Sequence, residues 1–229
     1  MAKGFPVNAF GRQAALTISA LWLALALMLA GGSALAASQP VVLVMGDSLS
    51  AAYGIEQRAG WVSLLQTRLD GKARVVNASI SGETTSGAAA RLPDLLGQHR
   101  PEIVVLELGG NDGLRGLPPG QMRANLAQMI EQSQAANAEV LLLGIDIPPN
   151  YGRAYRDAFT GVFTRLADEH DLPLVPFLLE GIALEDELMQ DDGIHPTAAA
   201  QPRILENVWP ALAPLLEQSG VAQAALAQD

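Results

Sequence analysis

The chain contains no cysteine in its 229 residues. It can therefore form no disulfide, carries no thiol nucleophile and cannot be lipidated at an amino-terminal cysteine. Its stability has to come from a buried core, and the length is sufficient for one large domain with such a core. Aromatic residues are also scarce, at 5% of the chain, so few rings are available to stack on sugars.

Basic residues are in short supply as well, with 14 Lys and Arg against 24 Asp and Glu and a formal net charge of −10. This sign opposes binding to nucleic acids and to anionic membrane surfaces, so we expect neither as a partner. No cluster of histidines or carboxylates has the spacing of a metal site. We therefore expect no metal and no other cofactor.

The amino-terminal segment differs in composition from the rest of the chain. Lys3 and Arg12 precede an apolar stretch over residues 14–30, and small residues follow over 31–37. A basic start, a short hydrophobic middle and a small-residue end are typical of a secretory signal peptide. The apolar core is short for a membrane span, which disfavours the alternative of an uncleaved anchor.

This pattern divides the chain into a signal peptide, residues 1–37, and a mature domain, residues 38–229. Cleavage is expected after Ala36 or Ala37, and removal of the two basic residues changes the formal charge to −12. We predict a periplasmic or secreted protein without a stable membrane anchor after cleavage, and we expect it to be a monomer.

Apolar runs and helical patterns alternate along the mature domain. The runs predict strands near residues 41–45, 73–77, 103–108, 139–144 and 172–176. The helical patterns lie near residues 60–70, 85–97, 121–136, 152–169 and 197–217. Regular alternation favours a parallel sheet covered on both faces, so we predict an α/β fold, a three-layer α/β/α sandwich with a five-stranded parallel sheet.

Ser48 directly follows the first predicted strand, in the turn Gly46-Asp47-Ser48. Open α/β sheets bind their ligands at the carboxyl ends of the strands, which makes this serine a candidate nucleophile. Taken alone, the turn is also compatible with a serine that only caps the next helix. The nucleophile-elbow pattern Gly-x-Ser-x-Gly is absent because Ser50 occupies the second glycine position, which disfavours the α/β-hydrolase fold.

The chain offers three histidines as the base. His99 and His170 lie at predicted helix ends, where an exposed histidine facing the helix dipole is expected. His195 instead lies in a glycine-containing loop, three residues after Asp192, a spacing that allows the carboxylate to orient the imidazole ring. Asp191 is an alternative partner, although its approach to the ring is harder. In a further alternative, Asp192 only caps the next helix.

Two further residues are candidate donors to an oxyanion. Gly82 follows the second predicted strand and offers a backbone N–H where a side chain would obstruct a substrate. Asn111 follows the third strand and offers a side-chain amide. Because Ser48, Gly82 and Asn111 follow separate parallel strands, we expect them to meet at one edge of the sheet, with the Ser48 N–H as the third donor.

With these residues in place, the chain resembles the SGNH (GDSL) hydrolases, a family named for the residue types found here at Ser48, Gly82, Asn111 and His195. Its blocks stand in the family's order as Gly46-Asp47-Ser48-Leu49, Gly109-Gly110-Asn111-Asp112 and Asp192-Gly193-Ile194-His195-Pro196. The resemblance extends over the chain after residue 40 and is closest to the secreted bacterial branch of thioesterase I, lysophospholipase L1 and arylesterases. It implies the flavodoxin-like strand order 2-1-3-4-5.

The expected chemistry is acyl transfer through an acyl-enzyme on Ser48, with a small-molecule acyl ester or thioester as substrate. The resemblance implies aryl esters, acyl thioesters and lysophospholipids. Loops after the strands carry candidate pocket residues, which are Leu114, Leu117, Ile145 and Ile147. Leucines and isoleucines there are suited to contacting an acyl chain.

Two other functions remain as alternatives. One is hydrolysis of O-acetylated carbohydrates, for which the scarcity of aromatic residues is unfavourable. The other is a non-catalytic flavodoxin-like module that binds phosphate through residues 81–87 at a helix start. Against this module, Glu83 would repel phosphate and the loop contains no lysine or arginine.

Overall fold

The computed structural model describes Met1 and residues 39–219, and the predicted signal peptide lies outside the described residues apart from Met1. Residues 39–219 form five strands, β1 (Val41–Gly46), β2 (Arg74–Asn77), β3 (Ile103–Glu107), β4 (Glu139–Leu143) and β5 (Leu174–Val175). All neighbouring pairs are parallel and the order across the sheet is β2-β1-β3-β4-β5. The predicted parallel sheet and its flavodoxin-like order are therefore confirmed.

Helices cover the sheet on both faces. They are α1 (Trp61–Arg68), α2 (Thr85–His99), α3 (Gly110–Leu114), α4 (Pro119–Ala135), α5 (Arg153–His170) and α6 (Gln201–Gln218). Helices α2, α4 and α5 pack side by side, and α1 packs against α6. This is the predicted three-layer α/β/α sandwich. No helix within residues 39–219 is both long and apolar enough to cross a membrane.

The inner strands lie in the middle of the sheet because their sequences are almost entirely apolar. Every residue of β1 and β3 is buried, because helices cover both faces of the sheet. At the edge, β2 keeps its two end residues exposed. The carboxyl ends of β1, β2 and β3 lie side by side, and the loops that follow them carry the predicted site residues.

The fifth strand is shorter than predicted. The sequence predicts residues 172–176, whereas only Leu174 and Val175 pair with β4. Pro173 and Pro176 flank the pair and lack the backbone N–H that a longer ladder needs. The last helix also begins later than its predicted start at 197, because residues 198–200 form a 3-10 turn before α6.

Candidate active site

A chain of hydrogen bonds joins the serine, the histidine and an aspartate at the carboxyl edge of the sheet. The distance from Ser48 Oγ to His195 Nε2 is 2.9 Å, and that from His195 Nδ1 to Asp192 Oδ2 is 2.6 Å. Serine, imidazole and carboxylate are thus in the order that general-base activation of a serine requires. The other two histidines lie in the last turns of α2 and α5 and are not part of this chain.

Asp192 is held in place by the backbone of its own loop. Its Oδ1 accepts the N–H groups of Ile194 and His195, each at 2.9 Å, which leaves Oδ2 for the ring. Partial burial alone would raise the pKa of Asp192, but the hydrogen bonds from His195 and Ile194 outweigh it and lower the pKa to about 2. The alternative partner Asp191 forms no hydrogen bond or ion pair with the ring, whose carboxylate partner is Asp192, and it lines an open groove nearby.

The turn that carries Ser48 depends on close packing around Gly46. A Cβ atom at Gly46 would lie 2.6 Å from Ser50 Cβ and 2.8 Å from Glu107 Oε2, so no larger residue fits there. After the turn, Ala52 has a φ of +60°, a strained value for a residue with a side chain. This bend brings the Tyr53 ring over His195, with 4.4 Å between the ring centroids.

The predicted oxyanion donors lie on the loops around this serine. Gly82 has a φ of +80°, which favours glycine, and its carbonyl accepts a hydrogen bond from Arg115 at 2.9 Å. Within residues 39–219 neither the Ser48 N–H nor the Gly82 N–H has a hydrogen-bond partner. One hydrogen of the Asn111 amide is donated to Asp47 Oδ2, at 3.0 Å. The second hydrogen has no partner among these residues.

Two buried carboxyl groups lie beneath the serine turn, and the sequence analysis missed both. Glu107 ends β3 and accepts hydrogen bonds from the Ser50 hydroxyl at 2.7 Å and the Asp47 N–H at 3.2 Å. Burial, together with the nearby Asp47 charge, raises the pKa of Glu107 well above its ordinary value. Burial also raises the pKa of Asp47, to about 6. The sequence did contain one signal for Glu107, which is a charged residue at the end of an otherwise apolar strand.

An apolar cavity of about 390 Å³ opens beside Ser48 and Asn111. Three of the four predicted pocket residues, Leu114, Ile145 and Ile147, line it. Another wall comes from the segment after β5 and includes Phe177, Leu179 and Leu184. The sequence analysis missed this wall, since these residues lie far along the chain from the serine and belong to no motif.

The fourth predicted pocket residue, Leu117, does not line the cavity. Its N–H is donated to the Asp112 carbonyl at 2.9 Å, which folds the loop back onto α3. Its carbonyl accepts the Tyr155 hydroxyl at 2.7 Å, which fixes the same loop against α5. Of the two leucines predicted for the pocket in this loop, Leu114 therefore lines the cavity and Leu117 does not.

Besides Asp47, Ser48 and Asn111, the cavity has a further polar element, the ion pair between Asp146 and Arg156. Arg156 Nε lies 3.1 Å from Asp146 Oδ1, and the second guanidinium nitrogen contacts Oδ2. Hydrogen bonding to Asp146 raises the pKa of Arg156 above its ordinary value. Asp146 Oδ1 also accepts the Ile147 N–H at 2.7 Å, so the ion pair links the loop carrying Ile147 to α5.

The sequence and the structure are similar to those of known bacterial enzymes. The GDSL-like Lipase/Acylhydrolase family matches residues 44–202, and the chain belongs to this family. Esterase TesA of Pseudomonas aeruginosa is 54% identical over 199 residues, which are 83% of this chain and 99% of the relative. Thioesterase 1/protease 1/lysophospholipase L1 of Escherichia coli K12 is 49% identical over 181 residues, 79% of this chain and 87% of the relative.

A solved structure of a bacterial esterase is also similar to this chain. Psychrotrophic esterase EstA from Pseudoalteromonas sp., in a structure inhibited by monoethylphosphonate, is 44% identical with a TM-score of 0.74. The match covers 78% of this chain and all of that one. The SGNH (GDSL) resemblance drawn from the sequence motifs is thus confirmed.

Proposed function

We propose that the protein is a serine hydrolase that cleaves carboxylic ester and thioester bonds through an acyl-enzyme on Ser48. One observation carries the proposal: the hydrogen-bonded Ser48, His195 and Asp192 stand at an apolar cavity large enough for an acyl chain. Membership of an acylhydrolase family supports the same reaction class.

The proposed reaction has two steps. In the first, Ser48 Oγ attacks the substrate carbonyl carbon while His195 Nε2 takes the serine proton, and the leaving alcohol or thiol receives that proton as its bond breaks. In the second, water attacks the acyl-enzyme, His195 takes a water proton, and Ser48 regains it as the carboxylic acid leaves. Asp192 stabilises the imidazolium in both steps.

The negative charge that develops on the carbonyl oxygen needs donors in both steps. We assign this role to the N–H groups of Ser48 and Gly82 and to the free hydrogen of the Asn111 amide. All three are without partners among residues 39–219, so no existing hydrogen bond has to break when the oxyanion forms.

The cavity favours acyl substrates over acetylated sugars. Away from Asp47, Ser48 and Asn111, its walls are mainly aliphatic and proline side chains, with Phe177 as the one aromatic lining residue among residues 39–219 and the Asp146–Arg156 ion pair as a polar exception. Relatives are named esterase, thioesterase, lysophospholipase and arylesterase, which supports aryl esters, acyl thioesters and lysophospholipids as substrate classes for this chain.

A matched substrate panel tests this proposal. Values of kcat/KM are measured for an aryl ester, an acyl thioester and a lysophospholipid with one common acyl chain, and for an acetylated sugar. We expect turnover of the first three, weak or no turnover of the sugar, and no turnover of any by Ser48→Ala. Preferential hydrolysis of the acetylated sugar would contradict the assignment, and so would full activity of Ser48→Ala.

We further propose that residues 1–37 are a signal peptide that exports the enzyme. The basic start, the apolar stretch and the small residues before position 38 support this, as described above. Amino-terminal sequencing of the protein recovered from a bacterial periplasm should begin at Ala37 or Ser38. Recovery of the full-length chain in the cytoplasm would contradict it.

A further inference from the structure

The cavity beside Ser48 extends across the carboxyl edge of the sheet. Ser48 follows β1, whereas the wall formed by Ile145 and Ile147 follows β4, with β3 between these two strands. Neighbouring strands lie roughly 4.8 Å apart, so the loop after β4 lies about 10 Å from the serine turn. That span is close to the length of an extended octanoyl chain.

The ion pair between Asp146 and Arg156 lies at this remote part of the cavity. Asp146 belongs to the loop after β4, and Arg156 stands in the first turn of α5. Both side chains line the cavity, and they are 28% and 36% exposed, so water reaches the two charges. Its neighbours in the cavity wall, Ile145 and Ile147, are apolar. An acyl chain that extends past these isoleucines therefore displaces water from the ion pair.

A hydrocarbon chain cannot replace the water that it displaces there. A methylene group neither donates nor accepts hydrogen bonds, whereas carboxylate and guanidinium have more acceptor and donor sites than their mutual contacts use. Covering such charges without new hydrogen bonds costs free energy. Each methylene placed on an apolar wall instead strengthens binding by roughly fourfold. The gain per methylene should therefore end where the acyl chain reaches the ion pair.

We infer that the Asp146–Arg156 ion pair is a specificity determinant that limits the preferred acyl chain to medium length, near octanoyl. The inference rests on the proposed function and adds to it the class of acyl chain. The pair lies about two strand spacings from Ser48, so it discriminates between acyl chains without taking part in the reaction at the carbonyl. Neither the motifs nor the family resemblance specifies a chain length.

A series of aryl esters tests the inference on the parent enzyme. Values of kcat/KM are measured for saturated acyl chains from butanoyl to tetradecanoyl, each below its critical micelle concentration. They should rise by up to roughly fourfold per methylene as far as octanoyl, and then level off or fall from decanoyl onward. A rise that continues through dodecanoyl would overturn the inference and leave the proposed function standing. Failure to hydrolyse any of the esters would contradict the proposed function itself.

A double variant, Asp146→Leu with Arg156→Met, removes both charges and keeps side chains of similar size. Four further methylenes can then lie on apolar surface, so the ratio of kcat/KM for the dodecanoyl ester to that for the octanoyl ester should increase at least about 10-fold. An unchanged ratio would overturn the inference. If the double variant does not fold, the chain-length series of the parent enzyme decides.

The single variant Asp146→Asn separates the effect of charge from anchoring of the loop. It removes the ion pair, but the asparagine oxygen can still accept the Ile147 N–H and the Arg156 charge remains in the cavity wall. The dodecanoyl-to-octanoyl ratio should stay within about twofold of the parent value. An increase equal to that of the double variant would show that anchoring of the loop sets the chain length, and would overturn the inference.

A second ion pair of α5 provides the matched control. Arg123 and Glu169 join α4 to α5 at the exposed surface, outside the cavity lining. Arg123→Met with Glu169→Leu should leave the dodecanoyl-to-octanoyl ratio unchanged. An increase comparable to that of the cavity variant would mean that loss of either ion pair of α5 is sufficient, and would overturn the assignment to Asp146 and Arg156.

Discussion

At the scale of single residues, the site depends on what each polar side chain contacts. His195 contacts Ser48 through one ring nitrogen and Asp192 through the other, whereas the other two histidines lie in terminal helix turns. The sequence could single out His195 because a carboxylate three residues before it lies within reach. It could not single out Asp47, because its role as an acceptor depends on a contact with Asn111 that spans 64 positions.

The same distinction predicts two different outcomes among the three histidine variants. His195→Gln should lower kcat by on the order of 10⁴–10⁶, because the loss of a triad base removes most of the catalysis. His99→Gln and His170→Gln should keep kcat within about twofold. Steady-state kinetics on one aryl ester checks all three. Substantial activity in His195→Gln with loss in either control would mean that another base serves Ser48.

At the scale of elements, the parallel order of the sheet brings three loops to one edge. Apolar runs and glycine-containing turns were sufficient to predict all five strands. The signal was clearest for the inner strands β1 and β3, because buried parallel strands have continuous apolar sequence. The length of β5 could not be predicted from apolar character, since two prolines limit its pairing. Leu117 shows a similar limit: its backbone N–H is donated to the Asp112 carbonyl, and it is not among the residues that line the cavity.

The junction of β4 and β5 gives an element-scale prediction. A Cβ at Gly144 would lie 2.2 Å from the Pro176 carbonyl oxygen, so Gly144→Ala must separate the two chain segments. We expect a loss of roughly 1–3 kcal/mol in the free energy of unfolding, the usual cost of overpacking. Urea denaturation measures the change.

A matched glycine in α2 provides the control. Gly97 is exposed and has no neighbouring atom within 4 Å of an added Cβ, so Gly97→Ala should raise the free energy of unfolding by about 0.5–1 kcal/mol. A neutral effect of Gly144→Ala would mean that the β4–β5 junction is looser than the structure indicates.

At the scale of the whole molecule, the buried carboxyls make stability depend on pH. Glu107 is completely buried and its pKa lies well above the ordinary value of 4.5. At pH values between 4.5 and the raised pKa, the folded protein binds more protons than the unfolded chain. Its free energy of unfolding therefore falls as pH rises through this range. Retaining such a group beneath the Ser48 turn therefore reduces stability at neutral pH.

Glu107→Gln should remove this dependence, because an amide resembles the protonated acid and can still accept the Ser50 hydroxyl. From pH 4.5 upward, the free energy of unfolding of the parent should decrease relative to the variant, by at most about 1.4 kcal/mol per pH unit. Urea midpoints at several pH values measure the difference. A difference that stays constant with pH would mean that Glu107 is ionised in the folded protein.

Covalent labelling of the serine tests the central claim most directly. An organophosphonate reacts with an activated serine and resembles the tetrahedral intermediate. Mass spectrometry should find one adduct, located on Ser48, with loss of activity in proportion to labelling. Ser48→Ala should stay folded and unlabelled. An adduct on Ser50, or no adduct at all, would contradict the proposed acyl-enzyme and favour the non-catalytic binding module instead.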